Sequence, residues 1–245
     1  MKLTFVGCGD AFGSGGRFNT CFHVAAANTN FLIDCGASSL IAMKQLGIDR
    51  NAIDTILITH FHGDHFGGIP YFILDSQFFA KRTSPLTIVG PEGLQVAYER
   101  TLEAAFQGSS GTKQKFDLHL TEITPGEPLH IGGLEVTAAR VRHGRPGGPF
   151  LAYRINIDGR TIAYTGDTEW LDELVPIGHD ADLLIAESYF YDKKVPLHLD
   201  LATLEEKLPL IEPRRLILTH MNDDILNRLS DIRHETASDG LVVEL

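Results

Sequence analysis

Short apolar runs alternate with polar stretches along most of this chain, and their length and spacing predict both strands and helices. Apolar runs of about four to eight residues indicate strands, whereas apolar positions three and four residues apart indicate helices. Strands are predicted over residues 3–6, 21–25, 30–34, 55–58, 86–89, 134–141, 150–157, 161–164, 183–186 and 216–218. Helices are predicted over residues 38–46, 66–80, 93–106 and 201–211.

The predicted strands fall into clusters that look antiparallel, and the helices are interspersed among them without strict alternation. Asp158 and Gly159 are a turn signal that predicts a hairpin between two of the strands. This order favours two sheets packed face to face with helices on the outside. No internal repeat, low-complexity tract or Pro/Gly linker divides the chain, so residues 1–245 are predicted to form a single α/β domain.

A dense group of metal-binding side chains follows the predicted strand at residues 55–58. His60, His62, Asp64 and His65 place three imidazoles and one carboxylate within six residues. First-row divalent metals, zinc above all, prefer these ligands. On an extended chain His60 and His62 point in the same direction, while Asp64 and His65 are expected in a tight turn opened by Gly63. The group therefore predicts a metal site.

Three further polar residues come directly after predicted strands, namely His143, Asp167 and His220. A rigid scaffold commonly presents its functional groups on such loops. These residues are therefore candidates for the same site. The interval between His143 and Asp167 is short and leaves room for only one hairpin.

Composition narrows the classes of partner. The net charge of −11 argues against a broad basic surface for duplex or structured RNA. A small anionic substrate stays compatible with it, because bound divalent cations invert the local potential. No apolar run approaches the roughly 18–20 residues of a membrane span, so no membrane partner is expected.

The cysteines and the N-terminus bear on the compartment. Cys8, Cys21 and Cys35 are odd in number and not spaced as pairs, so a disulfide framework is not expected. The first residues read directly as a strand and lack the pattern of a signal peptide. A reducing cytoplasm is the expected location.

Together these residues resemble the metallo-β-lactamase superfamily. The matching motifs are His60-x-His62-x-Asp64-His65, the isolated His143, Gly166-Asp167-Thr168 and Thr219-His220. The resemblance covers nearly the whole chain and includes the Leu-Ile-Asp-Cys-Gly run at residues 32–36, where the family places a carboxylate after a strand. It implies a four-layer αββα sandwich with a dinuclear metal site at one edge.

The resemblance also implies how the ligands are shared between two divalent ions. One ion would take His60, His62 and His143, and the other would take Asp64, His65 and His220. Asp167 would bridge them together with a water or hydroxide. Zn²⁺ is the expected metal, with Mn²⁺ and Fe²⁺ as alternatives for this ligand set. We expect the metal-binding imidazoles to be held by hydrogen bonds from Asp34, Thr59 and Thr219. Such bonds would fix the imidazole tautomers.

Departures within the superfamily narrow the activity. The best-known lactamase subclass has a cysteine where Asp167 stands, which disfavours antibiotic hydrolysis. His198 resembles the extra histidine of the phosphodiesterase branch, found in RNase Z-type tRNA endonucleases and in carbon–phosphorus lyase accessory phosphodiesterases. RNase Z proper has His-Ser-Thr at this place and a long arm between the positions of His143 and Asp167. Whole tRNA is therefore not the expected substrate.

The predicted function is a dinuclear metal-dependent phosphodiesterase acting on a small phosphodiester, a cyclic phosphate or a cyclic nucleotide. Asp64, Asp167 and His198 are the predicted catalytic residues. The metal-bridging hydroxide would attack phosphorus, and His198 would protonate the leaving alkoxide. The alternative is a thioesterase or lactonase similar to glyoxalase II, in which His198 is not catalytic. A non-catalytic metal-bound sensor or assembly subunit is the minor alternative.

Three residues and the oligomeric state stay open at this stage. Glu187 either orients His198 or is a solvated residue at a strand end. Arg17 and Asn19 either contact a phosphate or belong to a solvated loop beside the glycine-rich residues 7–16. A homodimer is compatible with the resemblance, since relatives in this branch are often dimers.

Overall fold

The structure, a computed structural model, describes residues 1–145 and 148–245 and contains strands and helices in nearly equal share. The strands, in chain order, are β1 Lys2–Gly7, β2 Cys21–Ala25, β3 Asn30–Ile33, β4 Thr55–Leu57, β5 Leu86–Gly90, β6 Leu118–Glu122, β7 Leu129–Ile131, β8 Leu134–Arg140, β9 Leu151–Ile157, β10 Arg160–Tyr164, β11 Leu183–Glu187, β12 Leu216–Thr219, β13 Glu235–Thr236 and β14 Val242–Glu244. The α-helices are α1 Ser39–Gln45, α2 Gly63–Phe66, α3 Ile69–Phe78, α4 Leu94–Ala105, α5 Leu174–Gly178, α6 Leu201–Ile211 and α7 Asp223–Leu226.

The strands form two seven-stranded sheets. The first has the order β14-β1-β2-β3-β4-β5-β6 and the second the order β13-β12-β11-β10-β9-β8-β7. Neighbouring strands from β3 to β6 are parallel, as are those from β10 to β13. The prediction of antiparallel clusters was therefore wrong for this half of the pairings. Helices provide the crossovers that parallel neighbours require.

Alternating side chains explain why the sheets stack with helices outside. Ile33 of β3 points into the core between the two sheets, whereas its neighbour Leu32 packs with the helices that cover the first sheet. In the second sheet Ile185 faces inward and Leu184 faces the outer helices. Each sheet thus buries both faces, one against the other sheet and one against helices. The predicted αββα sandwich is confirmed.

Every predicted strand and helix is present among the described residues, and the strands that the sequence did not predict are short or exposed. The strands β6, β7, β13 and β14 have no strong apolar run, because they lie at or near sheet edges with one or both faces half-exposed. The hairpin at Asp158 and Gly159 is present between β9 and β10, and both residues have positive φ, as a type I′ turn requires.

One edge of the sandwich collects several chain segments that leave strands. The parallel strands β10, β11 and β12 end at the same edge, and β8 runs in the same direction as β10 because both are antiparallel to β9. The segments after β8, β10 and β12 carry His143, Asp167 and His220. Within residues 1–145 and 148–245 there is no helix with the length and apolar character of a membrane span.

Candidate metal centre and active site

A short helix, rather than the predicted tight turn, presents Asp64 and His65. Helix α2 begins at Gly63, directly after His62, and turns both side chains toward the sheet edge. The loop after β3 packs closely on this helix, and the backbone N–H of Cys35 donates to the carbonyl of His65 at 2.7 Å. A Cβ at Gly36 would lie 2.1 Å from the carbonyl oxygen of Asp64, so this position admits only glycine.

Three imidazoles form the first of the adjoining groups that could hold a metal ion. His60, His62 and His143 each offer a ring nitrogen, and these nitrogens lie within 4.8 Å of one another. His60 and His143 are buried, whereas His62 is exposed to solvent. Segments from both sheets therefore contribute to this group, which matches the ligand set predicted for the first ion.

The second group consists of Asp64, His65, Asp167 and His220, all of them buried and with ligand atoms within 4.8 Å of one another. His220 follows β12 with a positive φ of 56°, a left-handed conformation that is uncommon for residues other than glycine. Its backbone N–H donates to the carbonyl of Cys8 at 3.1 Å, which holds the ring in the group.

Asp167 lies between the two groups. Its Oδ2 atom is 3.5 Å from Nε2 of His143, 3.1 Å from Nε2 of His220 and 3.2 Å from Nε2 of His65. Gly166, with φ +59°, permits this placement, because a Cβ there would lie 2.6 Å from the carbonyl oxygen of Leu151. One carboxylate oxygen is thus within reach of nitrogens from both groups, as a bridging ligand would be.

The far ring nitrogens are held by hydrogen bonds. Asp34, fully buried and itself in a left-handed conformation, contacts Nδ1 of His65 at 2.7 Å through Oδ2 and accepts the Thr59 backbone N–H at 2.8 Å through Oδ1. The hydroxyl of Thr59 lies 3.1 Å from Nδ1 of His60. These contacts leave the Nε2 atoms of both rings facing the centre.

His220 has a different partner from the one expected. The hydroxyl of Thr20, which no sequence signal had singled out, lies 3.3 Å from Nδ1 of His220. Thr219 instead donates its hydroxyl proton to the carbonyl of Cys8 at 3.3 Å. The residue adjacent in sequence therefore does not hold the ring, because the strand turns its side chain to the loop after β1.

Burial sets the protonation state of the three imidazoles in the first group. Burial lowers the pKa of the His60 ring well below its ordinary value of 6.5. It also lowers the pKa of His62, and it brings the pKa of His143 to about 4. All three rings are therefore neutral near pH 7, which is the form that binds a metal.

The second group concentrates negative charge. The neighbouring His220 and His65 outweigh the opposing effect of burial and hold the pKa of Asp167 well below its ordinary value. Burial alone would lower the pKa of His65, yet Asp167, Asp64 and Asp34 together raise it well above 6.5. The carboxylates thus create a negative potential at His65. The same potential favours the binding of a divalent cation.

Two buried polar atoms support a metal at this place. Nε2 of His60 and Oδ1 of Asp167 make no hydrogen bond among the described residues. Buried polar atoms without partners are costly and uncommon in native proteins. Imidazole nitrogens and carboxylates that converge in this way have the donor chemistry of a divalent metal site. The residues present therefore fit the metals implied by the fold.

His198 lies beside these groups in the segment between β11 and α6. Its Nδ1 forms a hydrogen bond with Oε1 of Glu187, which is fully buried at the end of β11 rather than solvated. Oε2 of Glu187 accepts the backbone N–H groups of Thr168 at 2.8 Å and Leu199 at 3.3 Å, so its carboxylate is fixed. Burial alone would lower the pKa of His198, but the hydrogen bond to Glu187 and the charge of that residue outweigh burial and raise this pKa above 6.5.

A cavity of about 290 Å³ opens onto both metal-ligand groups and His198. Its remaining lining residues are apolar or aromatic, namely Ala11, Phe12, Tyr189, Pro196 and Leu197. The ring of Tyr189 stacks on that of His198 at a centroid distance of 4.3 Å. The glycine-rich loop thus reaches the cavity through Ala11 and Phe12.

Arg17 and Asn19 do not line this cavity. The guanidinium of Arg17 donates to the carbonyl of Ala237 at 2.8 Å, and the side-chain amide of Asn19 donates to the carbonyl of Asp10 at 3.1 Å. Both side chains therefore serve the conformation of the early loop and its contact with the C-terminal segment.

Comparisons with known proteins agree with this architecture. The family model described as "Anti-Pycsar protein Apyc1" matches residues 1–242, nearly the whole chain. The chain belongs to the anti-Pycsar protein Apyc1 family. The remaining comparisons place this family member among metallo-β-lactamase fold hydrolases.

Curated relatives of this Apyc1 family member are ribonucleases Z. The ribonuclease Z of Geobacillus kaustophilus (strain HTA426) is 28% identical over 244 residues, covering 78% of this chain and 78% of the relative. That of Exiguobacterium sp. (strain ATCC BAA-1283 / AT1b) is 26% identical over 292 residues, covering 98% of this chain and 94% of the relative.

Solved structures show the same fold. Human tRNase Z, short form, superposes with a TM-score of 0.81 at 24% identity and covers 100% of this chain and 99% of that one. A diphosphatase of the PhnP family gives a TM-score of 0.80 at 20% identity, covering 100% of this chain and 97% of that one. The metallo-β-lactamase fold protein YhfI of Bacillus subtilis gives 0.78 at 22% identity, with 99% of each chain covered. The predicted class, a metal-dependent hydrolase of this superfamily, is confirmed.

Proposed function

We propose that this chain is a dinuclear metal-dependent phosphodiesterase that acts on a small phosphodiester, a cyclic phosphate or a cyclic nucleotide. The observation that carries the proposal is the pair formed by His198 and the buried Glu187, at the wall of the cavity that holds both metal-ligand groups. An imidazole fixed in this way, with a raised pKa, is equipped to donate a proton.

The residues proposed to hold the metals are those of the two groups. His60, His62 and His143 would bind one ion, and Asp64, His65 and His220 the other, with Asp167 between them. When bound, such a centre lowers the pKa of a bound water and neutralises charge on the phosphate oxygens. Zn²⁺ is proposed as the metal, and Mn²⁺ and Fe²⁺ are compatible with the same donors.

The proposed step for the chain's own residues is a proton transfer. A water molecule that has released one proton to solvent forms a bond from its oxygen to phosphorus. As the bond from phosphorus to the leaving oxygen breaks, Nε2–H of His198 donates its proton to that oxygen, and the ring then takes up a proton again from solvent. Glu187 holds Nδ1 of the same ring and stabilises its charged form. An alkoxide is a poor leaving group unless it is neutralised as it departs, so a positioned acid accelerates this step.

The size and lining of the cavity support a small substrate with an organic group. A volume of about 290 Å³ is at the lower end of ligand pockets in general. Phe12 and Tyr189 offer aromatic surface next to the charged centre. Between His143 and Asp167 the described residues form β9 and β10 within the second sheet. With a net charge of −11, these features support a small anionic ester rather than whole tRNA.

The experiment is hydrolysis of bis-p-nitrophenyl phosphate and of cyclic nucleotides by protein of measured metal content, with His198→Ala as the test variant. We expect kcat to fall by about 10²–10⁴-fold with no loss of bound metal. His234→Ala is the matched control, because His234 also pairs with a glutamate, Glu205, at 3.1 Å, but lies outside the cavity. It should retain full activity.

Three outcomes would contradict the proposal. Unchanged phosphodiester turnover in His198→Ala would remove His198 from the chemistry. Hydrolysis of thioesters or lactones without hydrolysis of any phosphodiester would favour the glyoxalase II-like alternative, in which the electrophile is a carbonyl. Full metal occupancy without turnover of either ester class would favour a sensor or assembly subunit.

A further inference from the structure

Leu197 is held in a backbone conformation that side chains rarely adopt. Its φ is +73°, in the left-handed region that favours glycine, although it carries a branched side chain. Such conformations persist only where surrounding contacts determine them, and they concentrate at functional sites. The contacts of its carbonyl and its N–H are therefore informative.

The carbonyl of Leu197 accepts a hydrogen bond from Nδ1 of His143 at 2.9 Å. A proton on Nδ1 leaves Nε2 of the ring as the lone-pair nitrogen. That nitrogen lies 3.1 Å from Nδ1 of His62 and 3.5 Å from Oδ2 of Asp167. The carbonyl thus selects the tautomer and ring orientation that a metal ligand at His143 needs.

Glu169 holds Leu197 in place and ties it to the residue before His143. Its Oε2 accepts the backbone N–H of Leu197 at 3.1 Å, and its Oε1 accepts the guanidinium of Arg142 at 2.7 Å. The backbone N–H of Glu169 also donates to the carbonyl of Arg142 at 3.2 Å. One carboxylate therefore spans the two segments that meet at the His143 ring.

Stability alone gives little reason for this arrangement. The side chains of Arg142 and Glu169 are 54% and 29% exposed, and ion pairs with such exposure contribute little to folding. Glu169, which follows β10, instead joins two other segments through its two carboxylate oxygens: the segment after β8, which carries His143, and the segment before α6, which carries Leu197 and His198.

We propose that Glu169 is a positioning residue for the metal centre, which fixes the Leu197 carbonyl against His143 and so keeps Nε2 of that ring directed at the first ion. The inference rests on the proposed ligand role of His143 but not on the identity of the substrate. Glu169 acts through Leu197 and Arg142, and it does not line the cavity itself.

The test measures Zn²⁺ binding to metal-free protein of Glu169→Ala and Glu169→Gln. Competition with a chromophoric chelator gives the affinity of each binding step. We expect one of two binding steps to weaken by about 10-fold or more in Glu169→Ala, since removal of a group that orients a ligand typically costs that much. The step assigned to Asp64, His65 and His220 should stay unchanged. Glu169→Gln keeps an acceptor for the N–H of Leu197 and should lose less affinity.

The matched control is Glu235→Gln, which breaks the pair of Glu235 with Arg215, joined at 2.8 Å and 2.6 Å far from the cavity. It should bind both ions as the wild type does. Thermal unfolding of the metal-free variants shows whether Glu169→Ala folds. If it does not fold, the Zn²⁺ affinity of Glu169→Gln decides whether the proposal holds.

Unchanged Zn²⁺ affinity in both Glu169 variants would overturn the proposal, as would an equal loss in the control. The readout is metal binding rather than turnover. A chain that fails to hydrolyse phosphodiesters would therefore contradict the proposed function while leaving this inference open to support by the titration.

Discussion

Phe150 lies against the rings of all three histidines in the first metal-ligand group. Its ring centroid is 5.5 Å from that of His60, 5.7 Å from that of His62 and 5.5 Å from that of His143. The sequence marks it only as an apolar residue near the start of a strand. Nothing in the chain's local pattern reveals this contact, because the packing partner of a phenylalanine depends on which segments the fold brings together.

Replacing Phe150 with leucine should weaken metal binding, because the three imidazoles lose the wall that fixes their orientation. We expect about 10-fold lower Zn²⁺ affinity at the first group, measured by chelator competition. Phe116→Leu is the matched control, since Phe116 is comparably buried and packs in the layer of helices over the first sheet. It should cost folding free energy, by about 0.5–3 kcal/mol, but leave Zn²⁺ affinity unchanged. Equal affinity in the two variants would contradict the role of Phe150.

At the scale of elements, helix α3 is tied to its neighbours by one carboxylate. Asp75 lies 2.7 Å from Nζ of Lys44 in α1 and 2.7 Å from Nε of Arg50 in the turn that follows. Burial alone would raise the pKa of Asp75, but the hydrogen bonds and charges of Lys44 and Arg50 outweigh it and lower that pKa below 3.8. The amphipathic pattern predicted both helices, while this link between them depends on their packing.

The lowered pKa gives Asp75 a defined effect on stability. The stabilisation is present above the unfolded value of 3.8 and is lost as the pH falls through the lower pKa of the folded state. Asp75→Asn should reduce the free energy of unfolding by about 1–3 kcal/mol near pH 7. The difference from the wild type should shrink as the pH falls below 3.8, as measured by urea unfolding of metal-free protein. Parallel pH profiles for the two proteins would be evidence against the carboxylate's role.

At the scale of the whole molecule, the candidate metal site lies where the two sheets meet at one edge. His60 and His62 follow β4 of the first sheet, whereas His143, Asp167 and His220 follow strands of the second. Each proposed ion would therefore take ligands from both sheets. Metal that binds only the folded state stabilises it by mass action.

Removal of the metal should accordingly lower the melting temperature. At a metal concentration 100 times Kd, binding contributes about 2.7 kcal/mol per site. This corresponds to a decrease of roughly 5–10 °C for each site that loses its ion in a domain of this size. Differential scanning calorimetry before and after chelation measures it, and added Zn²⁺ should restore the original value. In His60→Ala combined with His220→Ala, chelation should cause little change. An unchanged melting temperature of the wild-type protein after chelation would contradict the proposal that the two sheets share the metal ligands.

The fold class and the candidate ligands could be predicted from the chain because the signals for both are local. Continuous apolar runs mark β3, β4 and β11 because both faces of each are buried, and His60 to His65 are dense enough to be recognised without a structure. His143, Asp167 and His220 were identifiable because each follows a strand. The ligand roles of all seven residues stay a prediction that metal titration can test.

The surroundings of those residues became apparent only in the folded protein. Edge strands such as β6 carry weak patterns, so neither the completed sheets nor their parallel pairings were apparent from the chain. Thr20, Phe150, Glu169 and Leu197 act on histidines far away in sequence, and Glu187 is buried against His198 instead of solvated. Such contacts arise from the packing of distant segments, where one residue's neighbours are chosen by the whole fold rather than by its own stretch of sequence.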